Sequence, residues 1–339
     1  MGSLMLKAEN TDGTTPVGYR ENLDIQILPY IRQNEASLQY SKHQLGEGLV
    51  NPKNILPFIK FRISRWNFLR VKLGQTANVN CDVNSINEDT IVLAVIAFNN
   101  PELIHYQHSL IKLNVMDPFF YVVVDNSNDQ RSRKEILDYC RDSRVPYIQC
   151  PKNPFSVSWS HALVLDWFVR NFVKPKKVRY FGFLDHDIFP IRPTSILSVL
   201  RKQPIYGSMS WLPKDSHVWY LWSGFCFYDF QRIPTRSLDF TPGTWRNTDY
   251  TITDSGGSNW KGLYSKLNRE ELVFADNKRV KFRDREDIEE SDYLDYHGDW
   301  VHTIDGSYWK EIKDKNGKDA YIRRMLDDLV ARGRLREGS

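Results

Sequence analysis

The chain has 339 residues, 41% of them hydrophobic and 26% charged, with a formal net charge of +4. That length is one large domain or one domain with sizeable appendages, and the composition excludes collagen-like, disordered and coiled-coil classes. A net charge of +4 is too weak to imply a nucleic-acid binder, so no nucleic acid is expected as a partner.

Residues 1–88 have weak periodicity and Pro/Gly punctuation at Gly46, Gly48, Pro52 and Pro57, and are expected to form an N-terminal extension. Within it, no Asp or Glu occurs from Leu49 to Cys81, whereas Lys53, Lys60, Arg62, Arg65, Arg70 and Lys72 are interleaved with aliphatic and aromatic residues. Such a segment either rests on an anionic membrane surface or packs on the main domain with its basic stems in water. Peripheral membrane contact through residues 53–72 is therefore one expectation. Four cysteines without paired spacing (Cys81, Cys140, Cys150, Cys226) exclude a disulfide framework and a cysteine zinc site. No apolar run approaches the ~18 residues that span a bilayer. The expected location is cytoplasmic.

From Thr90 the pattern becomes regular. Ile91–Phe98 is a continuous apolar run, as in a strand buried on both faces. Pro101 opens a helix to about residue 115, and Phe119–Val124 is a second buried strand that ends in Asp125-Asn126-Ser127-Asn128-Asp129. A second helix runs through Ile136, Leu137 and Tyr139. A short third strand lies near Pro146–Cys150, a helix spans Val157–Val173, and a fourth strand, Tyr180–Leu184, ends at Asp185-His186-Asp187. Alternating strands and helices imply right-handed βαβ units and a mainly parallel sheet, the α/β class. Ligands of such sheets bind beyond the carboxyl ends of the strands. That rule selects Phe98-Asn99-Asn100, Asp125–Asp129 and Asp185-His186-Asp187. Ala320–Arg336 is expected to be an amphipathic helix docked on the main domain.

On an extended chain, Asp185 and Asp187 point the same way, so both carboxylates can reach one hard divalent cation, Mn2+ or Mg2+. The other reading is a pair of loop aspartates that cap the following turn. Three βα units followed by a strand ending in D-x-D resemble the nucleotide-diphosphosugar half of a GT-A glycosyltransferase, most of all glycosyltransferase family 2, over roughly residues 90–310. Val122-Val123-Val124-Asp125 resembles the family's second strand, and Ser160-His161-Ala162 lies where the family has the helix before the D-x-D. Two positions depart from the family pattern: His186 is the middle residue of the motif, and Asn126 stands where a second acidic residue is usual.

The resemblance implies a GT-A, Rossmann-like fold, with residues 89–312 as the catalytic domain. Residues 89–190 would be its nucleotide-sugar half, 191–312 its acceptor half and 313–339 a C-terminal helix. Phe98, Asn99, Asp125 and Asp185 would contact the donor nucleotide, and Asp185 and Asp187 the metal. A late histidine, His302 or its neighbour His297, would complete the metal's coordination. Trp222-Ser223-Gly224 resembles the family's acceptor segment. Asp254, in Asp254-Ser255-Gly256-Gly257, would be the base on the acceptor hydroxyl, with Asp229 and Asp249 as rivals and a turn without chemistry as the plain alternative. Trp222, Gly224, Trp245 and Gly256 would line the acceptor site. The implied reaction is metal-dependent, inverting transfer of a sugar from a UDP- or GDP-sugar to a hydroxyl of a glycan or glycoconjugate. The alternatives are a haloacid-dehalogenase-like phosphohydrolase using the same D-x-D and a non-catalytic carbohydrate-binding protein. Seven tryptophans beyond residue 205 (Trp211, Trp219, Trp222, Trp245, Trp260, Trp300, Trp309) are either core or a sugar-stacking wall.

Overall fold

The computed structural model describes residues 52–80, 85–155, 157–212, 215–245, 251–282, 292–304 and 315–337. Its helices are α1 (Pro52–Arg70), α2 (Pro101–Asn114), α3 (Gln130–Asp142), α4 (Val157–Phe168), α5 (Leu197–Leu200) and α6 (Lys315–Glu337). Its strands are β1 (Asn78–Val79), β2 (Ile91–Ala97), β3 (Phe119–Asp125), β4 (Tyr147–Gln149), β5 (Tyr180–Asp185), β6 (Ile188–Pro190) and β7 (Ile205–Leu212). They continue with β8 (Asp215–Asp229), β9 (Thr244–Trp245), β10 (Thr251–Ile252), β11 (Asn277–Lys281), β12 (Tyr293–His297) and β13 (Trp300–His302).

A segment such as Ile91–Ala97 has no polar face to turn to water, so it is stable only as a strand covered on both sides. It is β2, buried along its whole length, near the centre of a seven-stranded sheet of order β1-β4-β3-β2-β5-β8-β7. β4, β3, β2 and β5 run parallel, while β1, β8 and β7 join antiparallel. Alternate residues of β2 supply two cores. Val92, Ala94 and Ile96 face α4 and its Trp167 and Phe168, and Leu93 and Val95 face Ile104 and Ile111 of α2 and Ile136 of α3. This is the mixed α/β, Rossmann-like fold with a mainly parallel central sheet that the sequence pattern predicts.

A second, antiparallel sheet of order β11-β12-β13-β6 begins where the first ends, because β6 starts three residues after the last residue of β5. Helix α6 closes its far side, burying Ile322 and Leu326 against Leu103, Leu110, Phe189 and Val301.

Three elements differ from the sequence expectation. Residues 59–339 form one compact unit, which takes in α1 from Ile59 onward and β1. Helix α1 packs on α4 through Phe61, which meets Phe155 and Trp159 at 5.1 and 4.9 Å, and through Arg65, 3.1 Å from both Asp166 and Asp239. β1 then extends the large sheet at its edge. The periodicity of this stretch is weak because apolar residues occupy both faces of α1. Finally, the helix expected over Val157–Val173 changes to a π-turn over Val169–Val173. There the Asn171 amide donates to the carbonyl of Trp167 at 3.1 Å, a side chain inserted into the helical ladder. Residues 1–51, which hold most of the expected extension, lie outside the described residues.

Candidate functional site

The parallel register brings the strand ends to one edge: Ile96 of β2 is paired with Asp185 of β5, and Ala97 with Asp125 of β3. Past that edge the D-x-D forms a tight turn into β6. Gln107 of α2 fastens it, its amide donating to the carbonyls of Asp185 and Ile188, both at 2.7 Å. His186, the residue between the two aspartates, is buried with Nδ1 3.2 Å from the Ile96 carbonyl.

Each aspartate meets a histidine from a different element. Asp185 Oδ1 is 3.1 Å from Nε2 of His161 on α4. Asp187 Oδ2 is 3.3 Å from Nε2 of His302 on β13. The second pair follows from register: β13 pairs His302 with Ile188, and the Thr303 N–H donates to the Asp187 carbonyl at 3.0 Å. His302 therefore stands beside the motif although 115 residues separate it from Asp187 in the chain. Burial disfavours both imidazolium ions, but the carboxylates outweigh it, and both pKa values lie above the ordinary histidine value. For His161 the raising groups are Asp185, Asp254 and Asp187. For His302 they are Asp187, Asp185 and Asp295.

Asp254 reaches this cluster from the other half of the chain. Its side chain is exposed, its N–H points to the Tyr220 hydroxyl at 3.3 Å, and its Oδ1 accepts from the Ser255 N–H at 2.7 Å. The next hydroxyl, Ser255 Oγ, is 3.5 Å from His161 Nδ1. Gly256 takes φ +98°, which favours glycine, and a Cβ there would lie 2.8 Å from Ser223 Oγ and 2.9 Å from the Leu221 carbonyl. One strand, β8, thus touches both parts of the site. Ser223 lies against the Gly256 loop, while a Cβ on Gly224 would lie 2.5 Å from Asp185 Oδ2 and 2.4 Å from the Trp222 ring. Trp222 itself is half-buried, its ring centroid 4.9 Å from His302 and 5.3 Å from His297.

Asp185, Asp187, His302, Asp254, Trp222, Gly224 and Gly256 are therefore gathered into one region. Other candidates stand elsewhere. Asp125 is wholly buried, its Oδ2 accepting from the Tyr147 hydroxyl and its Oδ1 from the Ser127 N–H, both at 2.8 Å. Asn99, with φ +52°, ties the first two strand-end loops together: its N–H donates to Ser127 Oγ at 2.9 Å, and its Oδ1 accepts from the N–H groups of Asn128 and Asp129. Phe98 is half-buried just before it. Asp229 pairs with Tyr180 at the opposite end of β5 and is held by Arg179 at 3.4 Å, so it is remote from the cluster. His297 is buried, with Nδ1 2.9 Å from Asn277 Oδ1. Asp249, Trp309 and the side chain of Trp245 lie outside the described residues. Of the tryptophans beyond residue 205, Trp219 and Trp300 are core, Trp260 packs against Trp219, and Trp211 is exposed.

Two carboxylates and an imidazole are a donor set suited to Mn2+ or Mg2+. Among the described residues, however, no group of three His, Cys, Asp or Glu side chains is arranged to hold a metal ion. The donors stand as two separate aspartate–histidine pairs.

The sequence pattern alone assigned no site role to His161 or Gln107. The available signal for His161 was its position in the first turns of the helix that precedes the D-x-D strand.

No family model matches the chain, and no curated protein matches it. Among solved structures it is similar to S. aureus TarS in complex with UDP-GlcNAc, at 20% identity and a TM-score of 0.22 over 30% of this chain and 27% of that one. It is similar to the mannosyltransferase PcManGT of Pyrobaculum calidifontis in complex with GDP-Man and Mn2+, at 11% identity and a TM-score of 0.31 over 51% and 52% of the two chains. A third is the mannosyltransferase Ktr4p of S. cerevisiae, at 9% identity and a TM-score of 0.28 over 53% and 66%. The chain thus spans about a quarter of the length of the TarS chain it matches. These likenesses are of fold and assign no role to any residue here.

Proposed function

We propose that this protein is a metal-dependent glycosyltransferase that moves a sugar from a nucleotide-diphosphate donor to a hydroxyl of a glycan or glycoconjugate, with inversion. The observation that carries the proposal is the meeting of Asp185, Asp187, Asp254, His161 and His302 beyond the carboxyl ends of a parallel sheet, where α/β folds bind their ligands. Asp185, Asp187 and His302 would hold Mn2+ or Mg2+, which when bound neutralises charge on the departing diphosphate. His161 orients Asp185 through its Nε2. The loops at Phe98–Asn100 and Asp125–Asp129 line the donor side, with Asp125 fixing their shape from within. Asp254, exposed and beside the cluster, accepts the proton of the acceptor hydroxyl. Trp222 offers a half-buried ring on which a sugar can stack.

The test is a thermal-shift panel of UDP- and GDP-sugars with and without Mn2+, followed by product analysis. The proposal expects a metal-dependent shift with one nucleotide class and its loss in Asp187→Asn. Asp254→Asn should keep the shift and lose transfer. Metal-independent sugar binding that survives Asp187→Asn, with no transfer, would leave a carbohydrate-binding protein instead.

A further inference from the structure

We propose that helix α1 is a docking element for an anionic lipid bilayer, with an outward stripe of Ile59, Ile63 and Trp66 seated among the headgroups. The three residues recur at helical spacing on one side of α1 and are 44%, 51% and 56% exposed. The opposite side is committed to the protein: Phe61 and Phe68 are buried, and Arg65 is bound by Asp166 and Asp239. Those contacts are made with Trp159 and Asp166 of α4, seven residues apart, while His161 of the same helix turns to Asp185. The stripe thus faces away from the core.

Charge identifies the occupant. Lys60, Arg62 and Arg70 are exposed along the stripe, and the Arg70 guanidinium lies 4.4 Å over the Trp66 ring. No acidic residue occurs between Leu49 and Cys81. At the C-terminal end of α1, Trp167 Nε1 donates to the Val71 carbonyl at 2.8 Å and Asn171 to the Leu69 carbonyl at 3.3 Å. This brings up a second basic stretch in which Arg170, Lys174, Lys176 and Lys177 are exposed. Trp and aliphatic side chains rimmed by Lys and Arg match the interface of an anionic leaflet. A second copy of the chain would instead press two basic faces together. A nucleic acid would leave Ile59, Ile63 and Trp66 without a partner. Among the described residues no helix is long and apolar enough to cross a membrane, and the docking is superficial.

The experiment is vesicle co-sedimentation of the full chain with phosphatidylcholine alone and with about 30% phosphatidylglycerol, at about 0.1 and about 0.5 M NaCl. The proposal expects partitioning to the anionic vesicles only, weakened by salt. Ile63→Asp should lower it by on the order of 10-fold or more, and Lys60→Gln with Arg62→Gln by about fivefold for each charge removed. Melting temperature should be unchanged in all variants. No binding to anionic vesicles, or binding indifferent to these substitutions, overturns the proposal. So does a fall in melting temperature for Ile63→Asp, which would mean that the chain itself covers the stripe. A native dimer that Ile63→Asp converts to monomer would overturn it as well, in favour of an interface between copies.

Discussion

His297 provides the sharpest quantitative test of the site's electrostatics. Its ring is stacked on Phe225 at 5.6 Å and lies beside Trp222, and its Nδ1 faces Asn277 Oδ1, so the neutral ring carries its proton on Nδ1. Among the described residues, Nε2 is buried with no hydrogen-bond partner. Burial first, and then the neighbouring His302 imidazolium, push the His297 pKa down to about 3. In the unfolded chain the same group titrates near ~6.5. Between those values the unfolded state binds a proton that the native state refuses, so stability falls as pH falls below ~6.5. At about pH 5 the loss is RT ln(1 + 10^1.5), or about 2 kcal/mol, and at about pH 7.5 it is close to zero. His297→Gln removes the titration, and its amide can still donate to Asn277. Urea unfolding of metal-free protein at the two pH values should therefore show native stability falling by about 2 kcal/mol more than that of the variant. Equal pH slopes for the two proteins would refute the neutral, buried assignment, and with it the preference for His302 as the imidazole that serves Asp187.

Gly224→Ala places a methyl 2.5 Å from Asp185 Oδ2 and 2.4 Å from Trp222. The melting temperature should report a loss of about 1–3 kcal/mol, and transfer activity should fall by on the order of 100-fold because Asp185 must move. Tyr147→Phe deletes a hydroxyl donor to the wholly buried Asp125. Chemical denaturation should show a cost of about 1–3 kcal/mol, while the donor-induced thermal shift keeps its nucleotide preference.

How much of this was legible in sequence follows from the range of the interactions. β2, β3 and β5 could be read directly, since short apolar runs rich in β-branched and aromatic residues and bounded by turn signals fit strands buried on both faces. The D-x-D could be placed at a strand end for the same reason, and the rule that ligands collect there needed no knowledge of side-chain partners. The His161–Asp185 contact was invisible because it depends on how α4 lies across the sheet, and nothing in a 24-residue separation encodes that rotation. Gln107 was hidden in the same way: an amide on an apolar helix face reads as an imperfection until the turn it fastens is known. α1 was obscured by its own chemistry. A helix with apolar residues buried on one side and exposed on the other has no period to detect, and the exposed set is the part that now asks for a partner.

The three-residue motif is also the seam between the two sheets, and this shapes what each carboxylate can do. Asp185 is the last residue of β5 and is tied through His161 to α4, within the parallel layer. Asp187 comes after the turn. Its carbonyl accepts from Thr303 and its carboxylate faces His302, both at the end of the small antiparallel sheet. The two side chains are thus positioned by different layers, joined here by the peptide of His186 and by Gln107, which holds the carbonyls of Asp185 and Ile188 on either side of the seam. A displacement of the small sheet would carry Asp187 and His302 together and leave Asp185 and His161 behind. Changing Gln107 should therefore weaken any ligand that needs both carboxylates more than one that needs either alone. That ordering separates a positioning role for Gln107 from plain core packing, which would weaken all ligands alike.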